Sequence, residues 1–398
     1  MKNHILLFWL FLQTILFSNC TKEEFVILPL RTVIVYMIAD NNLDYFSVKD
    51  LNEMEVGWNY SFNGNLIVYI DRAEGANPAH PVVYKIYNDT TDSICSSIVD
   101  VYKEQNSTDT NIMRTVLSNI ISNYPAQSYG LVLWSHGTGW YPKGTKVQYT
   151  ENSANRMKTP KPLTKSFGID MSDELNINDL KESLPVHFDF ILFDACYMGS
   201  IEVLYELREK ADYIISSPTE VLSYGYPYDL IVPYFFENST NYRGIATEFI
   251  NSYINLEGVF QTASVSVTKT AGLVELAEIV NKIMQDTLNL QYVSSNKIQQ
   301  FELTKNGYFF DFGNFISEST TLSQNKEKLE IALGNTILFK ASTSKIFDEL
   351  QVKKYSGLSV FLPDSTNKEY YDFYKQLDWF KDSSSNIYFN KYSFDKLF

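Results

Sequence analysis

Two residues of this chain, Cys196 and His136, combine a chemical type and a setting suited to nucleophilic catalysis. Each follows an apolar run typical of a buried strand, and each adjoins small residues. A thiol is a strong nucleophile only as the thiolate. A neighbouring imidazole can take its proton and later pass that proton to a leaving amine. The pair therefore predicts a cysteine nucleophile with a histidine as its proton acceptor.

Taken singly, each residue has a more common structural interpretation. Free cysteines are among the most buried residue types, and a single histidine after a strand is more often a turn or core residue. The combination is more informative, because both residues are expected at one edge of the same sheet. Gly137 and Gly199 are expected to leave room for a substrate backbone. The N–H groups of Gly137 and Cys196 are the candidates for an oxyanion hole.

The elements that position this pair are predicted from hydrophobic patterning. Strands are predicted at Arg31–Ala39, Asn65–Asp71, Pro81–Tyr87 (more exposed), Tyr129–Ser135, Phe188–Asp194 and Tyr213–Ser217. Helices are predicted at Tyr45–Val56, from Asp109 to about Tyr124, at Ile177–Leu184 and from about Ser200 to Lys210. This last helix follows Cys196, and its N-terminus would favour a thiolate. Strands that alternate with helices predict an α/β fold, with a mostly parallel central sheet and helices on both faces.

The second half of the chain has a weaker pattern. Strands are predicted at Ala263–Thr268 and Ser356–Leu362, and helices at Leu273–Leu288, Asn325–Phe339 and Lys368–Phe380. These elements either complete the same domain or form a C-terminal extension or subdomain packed on it. A long polar stretch at Thr138–Lys165 predicts an irregular loop between the histidine and the cysteine.

Composition excludes several classes of function. The 398 residues suffice for one large domain or for two, and the net charge of −14 argues against a nucleic-acid partner. No histidine stands at metal-ligand spacing with a cysteine, so no metal site is predicted. The chain contains no G-x-S-x-G sequence, which argues against an α/β-hydrolase.

The N-terminus predicts an export signal. Met1–Asn19 has the pattern of a signal peptide, and its apolar run, Ile5–Phe17, is short for a membrane span. Cys20 then stands where a bacterial lipobox has its lipidated cysteine, and the acidic stretch after it resembles the surface-export signal of Bacteroidetes lipoproteins. The interpretation is a cell-envelope protein: an outer-membrane lipoprotein, surface-exposed or not, with a membrane anchor at Cys20. The alternative is an ordinary cleaved signal peptide and a secreted protein.

Two blocks, LVLWSHGTGW (Leu131–Trp140) and ILFDACYMGSIEVLYEL (Ile191–Leu207), resemble the catalytic blocks of the clostripain family of cysteine peptidases. That family belongs with caspases, legumains and gingipains. Three further blocks are similar to others of the family: VYMIADNNLD (Val35–Asp44), FDFGNFI (Phe310–Ile316) and YSGLSVFLP (Tyr355–Pro363). The predicted organisation is a signal peptide (1–19), a tether (20–30), a peptidase domain (31–365) and a C-terminal helix and tail (366–398).

The resemblance implies a caspase-like sandwich with His136 and Cys196 as a dyad that acts through a thioester acyl-enzyme. It also implies an endopeptidase that cleaves after Arg or Lys. Asp194 matches an acidic residue of the family's S1 pocket, where a carboxylate can pair with a guanidinium. Its structural alternative is a strand-end aspartate that accepts from loop N–H groups. Glu220 is a candidate second acid of the pocket.

Some members of the family cut themselves between the histidine and the cysteine. The corresponding loop here offers Lys143, Lys146, Arg156 and Lys158, although surface loops are often rich in lysine. Some members need calcium. Asp170, Asp173 and Glu174 are clustered but lack EF-hand spacing, so no cofactor is expected to be required and calcium is left open.

A second hypothesis from another class is a cell-surface lipoprotein that only binds, built on an inactivated peptidase scaffold. Retention of His136, Cys196 and Asp194 argues against it, since a protein without activity has no need of all three.

Overall fold

The computed structural model describes residues 27–137, 139–145, 167–291, 293–302, 308–362 and 368–388. In this part of the chain the strands are β1 (Arg31–Ala39), β2 (Gly64–Arg72), β3 (Val82–Lys85), β4 (Ser97–Val101), β5 (Ser128–Trp134), β6 (Phe167–Asp170), β7 (Asp173–Leu175), β8 (Phe188–Asp194), β9 (Ala211–Ser216), β10 (Ser264–Lys269), β11 (Phe309–Asp311), β12 (Ile337–Ser342), β13 (Lys345–Ile346), β14 (Leu350–Gln351) and β15 (Ser359–Phe361).

The helices are α1 (Asp44–Gly57), α2 (Thr110–Asn123), α3 (Ile177–Ser183), α4 (Ile201–Glu206), α5 (Tyr228–Phe235), α6 (Tyr242–Ile254), α7 (Leu273–Gln285), α8 (Phe312–Glu318), α9 (Ser323–Thr336), α10 (Lys368–Tyr374) and α11 (Asp378–Asp382).

Nine strands form the central sheet, in the order β12-β10-β9-β8-β5-β1-β2-β3-β4. The pairs from β9 through β8, β5 and β1 to β2 are all parallel, and the strands outside them pair antiparallel. Every residue of β1 is buried, which suits a central strand covered on both faces. The mostly parallel sheet expected from the sequence is confirmed.

Helices cover both faces of this sheet. One face packs against α2, α3, α4 and the helices from α7 to α11. The other face packs against α1, α5 and α6. Side chains alternate between the two cores along each strand, because successive residues of a strand point to opposite faces. In β8, Phe193 therefore belongs to the first core and Leu192 to the second.

The edges of the sheet differ from the prediction. The strand expected to be exposed at Pro81–Tyr87 is β3, and three of its four residues are buried. It is shielded because β4, which the sequence did not predict, pairs with it and forms the exposed edge. At the opposite edge the helix predicted at Asn325–Phe339 ends at Thr336, and the next residues form β12.

Other elements of the second half also differ. The strand predicted at Ser356–Leu362 is the short β15, which pairs with β11 in a separate two-stranded sheet. The helix predicted at Lys368–Phe380 is divided into α10 and α11. Helices α5 and α6 were not predicted at all.

The second half nevertheless completes the central sheet, since β10 and β12 are two of its nine strands. Trp379 of α11 lies in the same core as α2 and α3. The predicted domain boundaries stay predictions. The signal peptide and Cys20 lie outside the described residues. Within the described ranges, no helix has the length and apolar character needed to span a bilayer.

Two glycines provide a matched test of the packing at the centre of the sheet. A Cβ on Gly130 of β5 would lie 2.3 Å from the ring of Phe190, whereas one on Gly334 of α9 would meet nothing within 4 Å. We expect Gly130→Ala to lower the free energy of unfolding by about 1–3 kcal/mol through overpacking. Gly334→Ala should raise it by up to about 1 kcal/mol. Urea denaturation measures both, and an equal effect of the two changes would contradict the close contact.

Candidate active site

Parallel pairing of β5 with β8 brings the two candidate catalytic residues to one edge of the sheet. Trp134 lies opposite Asp194 in the register, and the Ser135 N–H continues the ladder to the Asp194 carbonyl at 3.4 Å. His136 and Cys196 each follow two residues beyond this last pair. A Cβ on Gly137 would lie 2.8 Å from the Cys196 nitrogen and 2.5 Å from its carbonyl oxygen. The loops that carry the histidine and the cysteine are therefore in contact.

His136 is buried, and its Nε2 lies 2.6 Å from Oδ1 of Asn42. An amide oxygen can only accept, so this contact places the proton of the neutral ring on Nε2 and leaves Nδ1 as the basic nitrogen. Burial lowers the pKa of His136 to about 4. The imidazole is consequently neutral near pH 7 and able to accept a proton.

Asn42 is a neighbour of His136 that the sequence does not predict. Asn42 follows β1, and β1 pairs in parallel with β5. The loop that carries Asn42 therefore emerges beside the loop that carries His136. The available signal is the Asp40-Asn41-Asn42 cluster at a strand end, which by composition alone indicates only a turn. Nothing in the sequence indicates which of these polar side chains faces the histidine.

Cys196 is half-buried in the turn after β8, and its thiol lies against the backbone of Val221. The Val221 N–H donates to Sγ at 3.2 Å, and Sγ donates to the Val221 carbonyl at 3.4 Å. A backbone N–H aimed at the sulfur can stabilise the charge of a thiolate. The helix predicted after Cys196 begins as expected, with Ser200 as the cap of α4, but it is only six residues long and ends at Glu206 instead of Lys210. Its contribution to the thiolate stays a prediction.

The turn around Cys196 is held by the segment that follows β9. Tyr197 has a φ of 59°, which is unusual for a residue with a side chain, and its N–H donates to the Thr219 carbonyl at 2.9 Å. The Gly199 N–H donates to the Ser217 carbonyl at 2.8 Å. These bonds fix the direction in which the cysteine leaves its strand.

The role predicted for the two glycines is corrected. A Cβ on Gly199 would lie 2.6 Å from the Pro218 nitrogen, and one on Gly137 would strike the Cys196 backbone. Both glycines therefore admit the chain's own backbone rather than a substrate. The oxyanion role of the Gly137 and Cys196 N–H groups stays a prediction, and their loops do lie side by side.

Asp194 closes β8 and is 5% exposed. Its Oδ2 accepts from the Tyr228 hydroxyl at 2.9 Å and from the Tyr226 N–H at 3.2 Å. Burial raises the pKa of Asp194 to about 6, although both hydrogen bonds act to lower it. A Cβ on Gly225, whose φ is 63°, would lie 2.5 Å from Oδ2. The interpretation of Asp194 as a strand-end aspartate that accepts from loop N–H groups therefore holds for one of its two partners, the Tyr226 N–H.

Glu220, the second candidate acid, lies on the segment that holds the nucleophile's turn. It is half-buried, and its Oε1 accepts from the Tyr197 hydroxyl at 3.0 Å. Tyr197 in turn stacks on Phe309, with ring centroids 5.0 Å apart. Glu220 therefore lies near Cys196, and its role in a substrate pocket stays a prediction.

The hairpin of β6 and β7 packs against the segment that carries His136. The Gly168 N–H donates to the His136 carbonyl at 3.1 Å, and the Ile169 N–H donates to Ser135 Oγ at 3.3 Å. Asn41 donates from Nδ2 to the Ile169 carbonyl at 2.7 Å. Of the basic residues predicted in the loop, Lys143 is described and exposed, while Lys146, Arg156 and Lys158 lie outside the described residues.

The acidic cluster considered for calcium has other partners. Asp170 accepts from the Ser107 N–H, Asp173 from Asn106 Nδ2 and Glu174 from the Gly144 N–H. No group of three or more such side chains converges on a metal position among the described residues. Each carboxylate of this hairpin thus has a hydrogen-bond donor within the protein, and the question of calcium stays a prediction.

The fold and the site together define a caspase-like α/β protein with a histidine and a cysteine at adjacent strand ends, as in a cysteine peptidase. The clostripain family model matches residues 35–392. The chain belongs to the clostripain family of cysteine peptidases.

Individual relatives agree with this assignment. Clostripain of Hathewaya histolytica is 29% identical over 238 residues, which are 54% of this chain and 43% of clostripain. The match thus spans less than half of that relative's length. The inactive zymogen of a protease of the same family from Parabacteroides distasonis is 31% identical, with a TM-score of 0.73. A secreted cysteine protease of the family from Bacteroides thetaiotaomicron, in complex with an irreversible peptide inhibitor, is 29% identical, with a TM-score of 0.75. Both alignments cover 90% of this chain and 99% of the other.

The burial of His136 predicts a pH dependence of stability. Its folded-state pKa of about 4 lies below the unfolded value of about 6.5, so the unfolded chain takes up the proton first as pH falls. The neutral ring contributes about 3 kcal/mol to the free energy of unfolding. This contribution is fully present above about pH 6.5 and is lost as the pH falls towards about 4.

Free energies of unfolding measured for the wild type and His136→Gln across this range isolate the contribution, because other titrating groups cancel in the difference. We expect the wild type to lose stability relative to the variant as pH falls. A difference that does not change with pH would show that the ring is not buried in its neutral form.

Proposed function

We propose that this protein is a cysteine endopeptidase that cleaves after Arg or Lys, with Cys196 as nucleophile and His136 as general base and acid. The observation that carries the proposal is the contact between the two strand-end loops, in which Gly137 packs directly on the backbone of Cys196. The proposed reaction needs no cofactor, because the thiolate is the nucleophile and the imidazole carries out the proton transfers.

The reaction begins when Nδ1 of His136 takes the thiol proton and Sγ attacks the carbonyl carbon of the scissile bond. The N–H groups of Gly137 and Cys196 hold the oxyanion of the tetrahedral intermediate. The C–N bond then breaks, the leaving amine takes the proton from His136, and a thioester remains on Cys196. Water, deprotonated by His136, hydrolyses the thioester and restores the thiol. Asn42 keeps the ring in the tautomer that these steps need.

Specificity for a basic P1 side chain rests on Asp194. The carboxyl group lies two residues before the nucleophile, and the two hydrogen bonds described for it both end on Oδ2. A guanidinium or ammonium group can therefore approach Oδ1 while Tyr226 and Tyr228 keep the carboxylate in place. A charge-assisted pair in a buried setting is strong, because the surroundings screen it little.

The proposal includes self-processing in the loop that precedes β6, at one of the candidates Lys143, Lys146, Arg156 and Lys158. A relative described as an inactive zymogen supports it, because a zymogen implies activation by a later event. The proposal also includes export through the signal peptide and lipid attachment at Cys20. A relative described as secreted supports the export step.

Cleavage of peptides that differ only at P1 tests the proposed function. The wild type should cleave peptides with Arg or Lys at P1, and Cys196→Ala should cleave none. Asp194→Asn should lower kcat/KM for basic peptides by about a hundredfold or more, because the cation then loses its buried partner. Glu220→Gln, assayed in parallel, shows whether the second candidate acid contributes.

Equal cleavage by Cys196→Ala would refute the dyad, and no cleavage by any protein would favour the binding-only alternative. Active enzyme that ignored the charge at P1 would refute the role of Asp194. Intact masses of the same wild-type and Cys196→Ala proteins report self-processing, which only the wild type should undergo.

The contact between Asn42 and His136 predicts a change in kcat. Asn42→Ala removes the acceptor that fixes the ring, and we expect kcat to fall by about ten- to a hundredfold with little change in KM. Asn42→Asp keeps an acceptor and adds a negative charge, so it should restore kcat and shift the acid limb of the pH profile to higher pH. An unchanged kcat in Asn42→Ala would remove Asn42 from the mechanism.

A further inference from the structure

A second carboxyl group lies buried behind Asp194. Asp50 of α1 is 2% exposed, and its Oδ2 accepts from the indole Nε1 of Trp134 at 2.7 Å. Trp134 is the residue of β5 that lies opposite Asp194 in the parallel register. Because paired residues of neighbouring strands point to the same face, the indole and the Asp194 carboxyl group lie side by side, and Asp50 reaches the same place from the helix.

Glu53 brings a third carboxyl group to this cluster. It lies one turn after Asp50 on α1, and its Oε2 accepts from the Tyr228 N–H at 3.2 Å. The hydroxyl of the same tyrosine donates to Asp194. The other ionisable groups that act on the cluster are Lys49 of α1, Asp229 of α5 and the buried hydroxyls of Tyr226, Tyr228 and Tyr253.

Three carboxyl groups in a largely buried cluster cannot all carry charge at neutral pH. Burial is the main cause that raises the pKa of Asp50 well above its ordinary range, and the charge of Asp194 is the next. Burial also raises the pKa of Glu53 to about 7, with help from Asp229. Asp194, at about 6, is the most acidic member. Asp194 accepts two described hydrogen bonds and Asp50 accepts one, so we infer that in the free protein Asp194 carries the charge and Asp50 holds a proton.

We propose that Asp50 is a second specificity acid of the P1 site, which releases its proton when a cationic side chain pairs with Asp194. The inference rests on the proposed function and deepens it. The entering cation offsets the charge of Asp194 and favours ionisation of Asp50, so the cation then pairs with Asp194 and gains a second negative charge behind it. Neither Arg nor Lys changes its own protonation; the O–H bond of Asp50 breaks and the proton passes to water.

Glu53 provides a route by which this proton leaves. Its side chain lines a surface cleft of about 660 Å³, together with Lys49, Asn52 and Asp229. Glu53, which lies one turn from Asp50 on α1, is therefore also in contact with solvent. Asp50 itself makes its described hydrogen bond to Trp134, which keeps it behind the pocket rather than in it.

Coupling of this kind gives affinity for basic peptides a definite dependence on pH. Where Asp50 is protonated in the free protein and ionised in the complex, binding releases a proton and affinity rises with pH. KM for an Arg peptide should accordingly fall as pH rises towards the pKa of the empty cluster, whereas kcat should not follow that trend. Asp50→Asn removes the proton that is exchanged and should flatten the change in KM.

Calorimetry measures the released proton directly. Full-length Cys196→Ala protein is titrated near neutral pH with a peptide that has Arg at P1, in two buffers of different ionisation enthalpy. The matched control peptide has citrulline at P1, which copies the shape of arginine without its charge. We expect release of about one proton with the Arg peptide, none with citrulline, and close to none with the Arg peptide once Asp50→Asn is added.

Asp50→Asn keeps an oxygen that can accept from Trp134, so its fold should be preserved, and Asp100→Asn on the exposed strand β4 controls for the loss of one negative charge. Proton release that is unchanged in Asp50→Asn would overturn the inference and leave the proposed function intact. If binding of the Arg peptide to the protein with the native Asp50 released no proton, the inference would be overturned by that result alone. A wild type that cleaves no basic peptide would remove the proposed function and the inference together.

Discussion

The register between β5 and β8 is the constraint on which the site depends. The pairing of Trp134 with Asp194 brings the loop of His136 beside the loop of Cys196, because each residue follows two positions after the last pair of its strand. A slip by one residue would turn every side chain of one strand to the other face of the sheet. The same register aims Asp194 and Trp134 at α1, so the proposed catalytic pair and the buried acids behind it are specified by one set of backbone hydrogen bonds.

Much of this arrangement could be predicted from the sequence, because long apolar runs locate buried strands well. The predicted bounds of β1 and β8 match the structure, and the strand-end positions of His136 and Cys196 follow from them. The polar support could not be predicted. Asn42 meets His136 across 94 residues and Asp50 meets Trp134 across 84, and no local pattern encodes such contacts.

The wrong predictions from the sequence share a physical cause. They concern elements that are fully exposed or fully buried, and glycines at close contacts between backbone segments. β4 is exposed along its whole length, so its residues lack the alternation that reveals a half-buried strand. α4 has every residue buried, so it lacks the polar face from which helix length is usually read. Gly137 and Gly199 resemble the glycines of a substrate groove, yet each is needed for the close approach of two backbone segments.

The hydrogen bond from Gly168 to His136 has a consequence for how the intervening loop can vary. It holds together the two ends of the segment between these positions. The entropy cost of bringing the ends of a segment together grows only with the logarithm of its length. Insertions after the buried Trp140 and Tyr141 would therefore cost the surrounding domain little, and the length of this segment could change without rebuilding the sheet edge that carries His136 and Cys196.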